Sequence, residues 1–293
     1  MKRIVGRAIL AGLVMGAAIA GSTLRASDVA VQAGTPDPAL RAAIAAKLRP
    51  VGDSARDRYR HPYETLQFWG IKPGLTVVDL QPEGGYWTEI LAPYLAKSGG
   101  TYIAGVADVD DPKLPGGLKV DRQRFEAKHA DIATYGQIRY AAFGAISGPL
   151  APPNSVDVVI SAREIHNWIH LGFNDKAMKD VFTALKPGGY FAIEEHRAEP
   201  KTAELTGPGK FTGYVATQTV IDAAMKAGFV LDATSEINAN PKDSKDYPFG
   251  VWTLPPARLS AGPGHPFLTD KERARYDAIG ESDRMTLRFR KPA

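Results

Sequence analysis

The sequence predicts an α/β fold: a mostly parallel, doubly wound seven-stranded sheet with an antiparallel edge, preceded by a helical segment. Three observations predict it. Apolar, β-branched runs alternate with amphipathic stretches, an order that needs crossover helices between parallel strands. The run Val77-Val78-Asp79-Leu80 ends in a tight turn holding Gly84 and Gly85, then enters an amphipathic stretch from Glu89 to Leu95. Two late strand-like runs, 229–237 and 286–290, lack an intervening helical pattern and suit an antiparallel pair.

The elements follow in chain order. Met1-Lys2-Arg3 and Arg7 precede an apolar run from Ala8 to Ala20. A basic start and an apolar stretch of this length read as a signal peptide over 1–26, too short for a comfortable membrane span. Ala18-Ile19-Ala20 offers one cleavage site and Ala26 a second. No cysteine follows to carry a lipid, and no Arg-Arg pair signals export of a folded chain. The expected location is the periplasm or beyond, with no stable membrane association once the leader is cut. With no cysteine anywhere, an oxidising compartment leaves no disulfide.

The formal charge of +4 comes from Lys2, Arg3, Arg7 and Arg25, all in the leader. A neutral mature chain gives no reason to expect nucleic acid as a partner. About 265 residues remain, enough for one large α/β domain. Residues 27–70 are predicted as an N-terminal helical segment. Within it Asp37 caps a helix that runs to Leu48 with Pro38 in its first turn, and a second helix spans 62–69 up to Gly70. Strands are expected at 76–80, 101–106, 138–143, 156–161 and 190–194. Helices are expected at 88–95, 123–130, 175–185 and 219–226. Residues 71–293 form the main domain. Residues 108–122, rich in Asp, Pro and Gly, are expected as a loop over the sheet's carboxyl edge. Residues 238–271, rich in Pro and Gly, are expected as an irregular insertion.

Asp79 before the first turn, Lys186-Pro187-Gly188-Gly189 before the fifth strand, the Ala227-Gly228-Phe229 turn and the closing run from Asp283 to Arg290 together resemble the class I S-adenosylmethionine-dependent methyltransferases. The resemblance covers about 60–293. Arg60-His61-Pro62 through Leu66, with His166-Asn167-Trp168, resembles an exported bacterial group within that superfamily. It implies a Rossmann-like methyltransferase fold with an N-terminal helical lid, S-adenosylmethionine as cofactor, and a small-molecule substrate. Asp79, Gln81, Glu83, Gly84, Gly85, Trp87 and Asp108 would then border the cofactor. Gln81 and Glu83 stand where the family's turn carries glycines, and only Gly85 keeps one. Side chains there narrow the pocket, and Gly85 is expected as the residue of close approach.

In open α/β sheets ligands bind outside the carboxyl ends of the strands. Glu164, His166 and Asn167 follow the fourth strand, and His196 ends the fifth. They are the candidate catalytic residues: a histidine titrates near neutral pH, and an amide can orient it. Alternation along a strand implies that Glu195 and His196 cannot both face the cleft. Trp168, with Tyr59, Arg60 and His61 from the lid, are candidate substrate contacts, and Trp87 and Trp168 could wall a sulfonium. His166 and His170, four apart, have a spacing used for zinc, with a third ligand to come from His61, His196, Glu194 or Glu195. One such pair is a common accident, and no metal site is assigned. Besides methyl transfer, two alternatives stay open: a non-catalytic binder of a small ligand, and a metal-dependent enzyme using the histidines.

Overall fold

A computed structural model describes residues 35–198, 211–262 and 264–293. The signal peptide predicted over 1–26 lies outside the described residues. Four short helices come first: α1 (Pro38–Ile44), α2 (Val51–Ser54), α3 (Asp57–Arg60) and α4 (Pro62–Phe68). The predicted single helix to Leu48 stops at Ile44, and the chain restarts as α2 beyond Pro50. The Asp37 carboxylate caps α1 by accepting from the Leu40 N–H at 2.8 Å.

The sheet region then runs β1 (Thr76–Leu80), α5 (Thr88–Lys97), β2 (Thr101–Ala107), α6 (Gly116–Lys128), α7 (Ile132–Tyr135), β3 (Arg139–Phe143) and β4 (Val156–Ala162). It continues with α8 (Ile165–His170), α9 (Asn174–Ala184), β5 (Leu185–His196), α10 (Thr217–Lys226), β6 (Val230–Ser235), α11 (Asp270–Ile279) and β7 (Arg284–Arg290). The strand order is β3-β2-β1-β4-β5-β7-β6. Strands β1 to β5 pair in parallel, and β7 runs antiparallel between β5 and β6. This is the predicted doubly wound sheet with its antiparallel edge.

Alternate strand residues face opposite layers. Val77, Val158, Ile160 and Ala192 pack with Leu66, Trp69, Trp87 and Ile90 on one face. Val78, Val159, Phe191 and Ile193 pack with Trp168, Met178, Val181 and Phe229 on the other. Each face therefore buries its own apolar layer, and the order of winding leaves the carboxyl ends of β1, β4 and β5 side by side.

Two loop expectations change. The segment 108–122 is a loop only as far as Pro115, because α6 begins at Gly116. Among the described residues the 238–271 segment is irregular apart from a 3-10 turn, Gly250–Thr253, and a Gly262–His265 bridge, but its last residues open α11. Thr269 and Glu272 cap that helix reciprocally, the Thr269 hydroxyl accepting from the Glu272 N–H and the Glu272 carboxylate from the Thr269 N–H.

Candidate active site

The turn after β1 keeps a glycine-like path at two residues that are not glycine. Gln81 has φ +51°, Glu83 +47° and Gly85 +87°. Left-handed backbone is strained for side-chain-bearing residues and persists only where surroundings fix it. One such fixing contact is visible: Gln81 Oε1 accepts from the Trp168 indole N–H at 2.5 Å. Trp168 is fully buried against Phe143 and Phe173, so it anchors the turn and borders neither of the two cavities at the sheet's carboxyl edge.

Two cavities open at the sheet's carboxyl edge. The larger, about 620 Å³, lies over the ends of β1 and β2 and is bordered by Gln81, Pro82, Glu83, Gly84, Val106, Ala107, Glu164 and Asn167, with Asp121, Arg122 and Phe125 of α6 across from them. The smaller, about 340 Å³, lies over the ends of β4 and β5 and is bordered by Arg163, His166, Asn167, His196, Ser282 and Glu281. Arg56 from the N-terminal segment and the 251–257 stretch close it. Glu83 and Asn167 border both.

In the smaller cavity Glu195 holds the machinery together. Its Oε1 accepts from His166 Nδ1 at 2.9 Å and from the His196 N–H at 2.7 Å, and its Oε2 accepts from the His166 N–H at 3.1 Å. A carboxylate only accepts, so Nδ1 of His166 carries a hydrogen, and in the neutral ring Nε2 keeps a lone pair. His196 Nδ1 meets the Ser282 hydroxyl at 2.6 Å, and its ring centre lies 5.3 Å from that of His166. Burial, reinforced by His166 and by the guanidinium groups of Arg163 and Arg284, pushes the His196 imidazolium well below the usual range. His196 is neutral at pH 7. Glu164 accepts from the Asn167 amide at 3.0 Å. Burial, with the charge of Glu83 next, pushes its carboxyl well above the usual range.

A largely buried ion network lines one side of the smaller cavity. Glu281 pairs with Arg56 at 2.8 Å, Arg60 at 2.9 Å and Arg284 at 2.5 Å. Arg284 also lies 2.8 Å from Glu194. The network ties α3 to β5 and β7 and thereby fixes the segment that carries Arg56.

The structure redistributes the sequence-derived candidates. Glu164, His166, Asn167 and His196 come together at the cavities, as do Gln81, Glu83 and Gly84. Five others lie elsewhere. Asp79 is buried and accepts from the Tyr102 hydroxyl at 2.9 Å, bracing the core behind the turn. A Cβ on Gly85 would come within 2.7 Å of the His129 ring, so its close approach is to protein and not to ligand. Trp87 packs on Trp69 and Tyr86 in the core. Asp108 turns back to accept from the Asp110 N–H at 3.2 Å, leaving Val106 and Ala107 to border the cavity. His170 is exposed and stacks on Phe211, apart from His166.

Among the lid candidates, Arg60 is buried in the ion network, and Tyr59 accepts through its carbonyl from Arg284. His61 Nδ1 meets the Asn238 side-chain oxygen at 3.3 Å. The N-terminal segment reaches the smaller cavity through Arg56 instead. Along β5, His196 borders the smaller cavity while Glu195 is buried behind it, its carboxylate curling back onto the main chain to accept from the His196 N–H. Sequence reasoning passed over Arg163, Glu281 and Ser282. Arg163, at φ +67°, carried a visible signal in its place two residues past the strand predicted over 156–161.

The class that this topology defines is the class I S-adenosylmethionine-dependent methyltransferase fold. A crystal structure of a candidate sarcosine dimethylglycine methyltransferase from Galdieria sulphuraria shares it, with a TM-score of 0.51 at 14% identity over 82% of this chain and 87% of that one. In sequence the chain is similar to ubiquinone/menaquinone biosynthesis C-methyltransferases UbiE from Ectopseudomonas mendocina and Pasteurella multocida. Each is 28% identical over 131 residues, 45% of this chain. The match spans 45% and 43% of those two proteins, less than half of either. No protein-family model matches the chain. Among the described residues no helix is long and apolar enough to cross a membrane.

Proposed function

We propose that the protein is an S-adenosylmethionine-dependent methyltransferase, holding the donor in the larger cavity and a small-molecule acceptor in the smaller. The observation that carries this is the shared wall. Two cavities of unequal size meet at Glu83 and Asn167, directly beyond the ends of β1 and β4. Two ligands held on either side of so thin a partition can approach end to end, and most of a methyl transfer is positioning.

The residues present fit the donor. The larger cavity has the volume of a small-ligand site. Gly84, with nothing within 4 Å of where a Cβ would stand, leaves its floor open. Gln81 through Gly84, Val106, Ala107 and Asn167 would hold it, with Glu83 the acid facing its positive charge. When bound, the donor supplies an electrophilic methyl group on a sulfonium. The chain's own contribution lies in the smaller cavity. Asn167, its amide held by Glu164, marks the seam. His166, oriented by Glu195, presents the lone pair of Nε2 to take a proton from an acceptor hydroxyl or amine. Arg163 and Arg56 provide cationic contacts for a polar acceptor. The basic and apolar leader is the support for an exported, periplasmic protein.

Calorimetric titration of the mature protein with S-adenosylmethionine and S-adenosylhomocysteine tests the reading. We expect one site per chain, weakened in Gly84→Val. Absence of binding to both would overturn it and favour a binder of some other small ligand.

A further inference from the structure

We propose that His166, Glu195 and His196 form a centre for a divalent transition-metal ion, facing the smaller cavity. One ligating atom from each side chain lies within 4.8 Å of the other two. A tetrahedral zinc about 2.1 Å from each ligand sets its ligands about 3.4 Å apart, so adjustments of rotamer scale close the site. The donor set is two imidazoles and one carboxylate, a combination found in zinc and other first-row metal sites.

Three further observations support the centre. Glu195 and His166 are buried, and Glu195 is fixed by two main-chain N–H groups, so the cluster is preorganised. His196 carries an outer partner, since the Ser282 hydroxyl at 2.6 Å from Nδ1 fixes that ring nitrogen and leaves Nε2 available to an ion. His166 and His196 both border the cavity, so one side of the site stays open for water or an acceptor oxygen. Arg163 and Arg284 oppose a cation here, while Glu281 offsets them in part.

The centre differs from the zinc spacing visible in the sequence. The pair four apart is not used, because His170 stacks on Phe211 at the surface. An ion at this place would take the Nε2 lone pair of His166 and would polarise an acceptor oxygen in place of its acting as the proton acceptor, a role that rests on the methyl-transfer reading; the site itself does not.

The test uses the mature chain stripped with a chelator and then titrated with zinc chloride, with bound metal counted by mass spectrometry. We expect one zinc per chain. His196→Ala should weaken binding more than the 10–100-fold typical of losing an outer partner, and Glu195→Gln should do the same. Glu195 anchors two main-chain groups, so circular dichroism checks its fold, and His196→Ala carries the conclusion if it fails. His170→Ala should bind zinc as the wild type does. No zinc in the wild type, undiminished zinc in His196→Ala, or loss in His170→Ala would each overturn the centre. S-adenosylmethionine is titrated in parallel. Donor binding without zinc sinks the metal centre alone, and zinc without donor binding sinks the methyl-transfer reading alone.

Discussion

Replacing Asp79 by Asn should make the protein markedly more tolerant of alkali. Asp79 is buried at the end of β1, with the Tyr102 hydroxyl donating to Oδ2 at 2.9 Å and Thr88 meeting the same hydroxyl at 2.7 Å. Burial pushes its carboxyl from the ordinary 3.8 up to about 7, against the pull of Tyr102 and Arg163. In the unfolded chain the group ionises near 3.8, while in the fold it keeps its proton to about 7. The unfolded state therefore binds fewer protons through that window, and stability falls as pH rises. The stabilisation is full below 3.8 and gone above about 7. At 1.36 kcal/mol per pH unit the whole loss is about 4 kcal/mol, of which about 3 kcal/mol falls between pH 5 and pH 9. Asn keeps the oxygen that Tyr102 needs and never ionises. Urea unfolding of both proteins at pH 5 and pH 9, followed by tryptophan fluorescence, reads the difference directly. The Asn variant should gain about 3 kcal/mol on the wild type between the two pH values. Parallel changes in the two proteins would refute the argument and show that Asp79 is ionised throughout.

Outcomes are expected at four other places in the chain. Gly85→Ala should cost about 1–3 kcal/mol in urea unfolding, from a left-handed backbone and a Cβ pressed on His129, whereas Gly84→Ala should be near neutral. Glu281→Ala should destabilise by about 3–5 kcal/mol, because it strands buried guanidinium groups. Burial would raise the Glu281 carboxyl, but Arg60, Arg284, Arg163 and Arg56 hold it well below its ordinary 4.5; its stabilisation is present above 4.5 and lost as pH falls further, so Glu281→Gln should flatten the acid limb of an unfolding titration. His166→Ala should reduce methyl transfer by roughly 10²–10⁴-fold with donor affinity unchanged by calorimetry. Mass spectrometry of the exported protein should find a chain starting after Ala20 or Ala26, and an intact Met1 there would sink the assigned location.

The sheet was legible because its signals are local. The run at 76–80 coincides with β1, and the predicted strands at 101–106, 138–143 and 156–161 end within one residue of β2, β3 and β4. α6 began seven residues earlier than expected, because Gly116 and Gly117 read as loop while lying in its first turn. His166, Asn167 and His196 could be placed beside one another because strand order alone brings the ends of β4 and β5 together. Asp79, Trp87 and Trp168 could not be sorted the same way. Each lies within three residues of a cavity-lining residue, but direction decides its role, and direction depends on partners such as Tyr102, Trp69 and Phe143 that lie far along the chain. Glu281 and Ser282 were out of reach for the same reason, since their partners Arg60 and His196 stand 221 and 86 residues away.

The left-handed turn at Gln81, Glu83 and Gly85 separates the route of the main chain from the furnishing of the rooms beside it. Gln81 is spent as a bolt into the Trp168 indole, and Gly85 as a gap for His129. Glu83 alone among the three looks into both chambers. The turn thus behaves as a mount with one exchangeable fitting. Glu83→Gln or Glu83→Gly should retune the charge that both chambers present while Gln81 and Gly85 hold the frame in place, which makes residue 83 the natural first position for altering what this protein accepts.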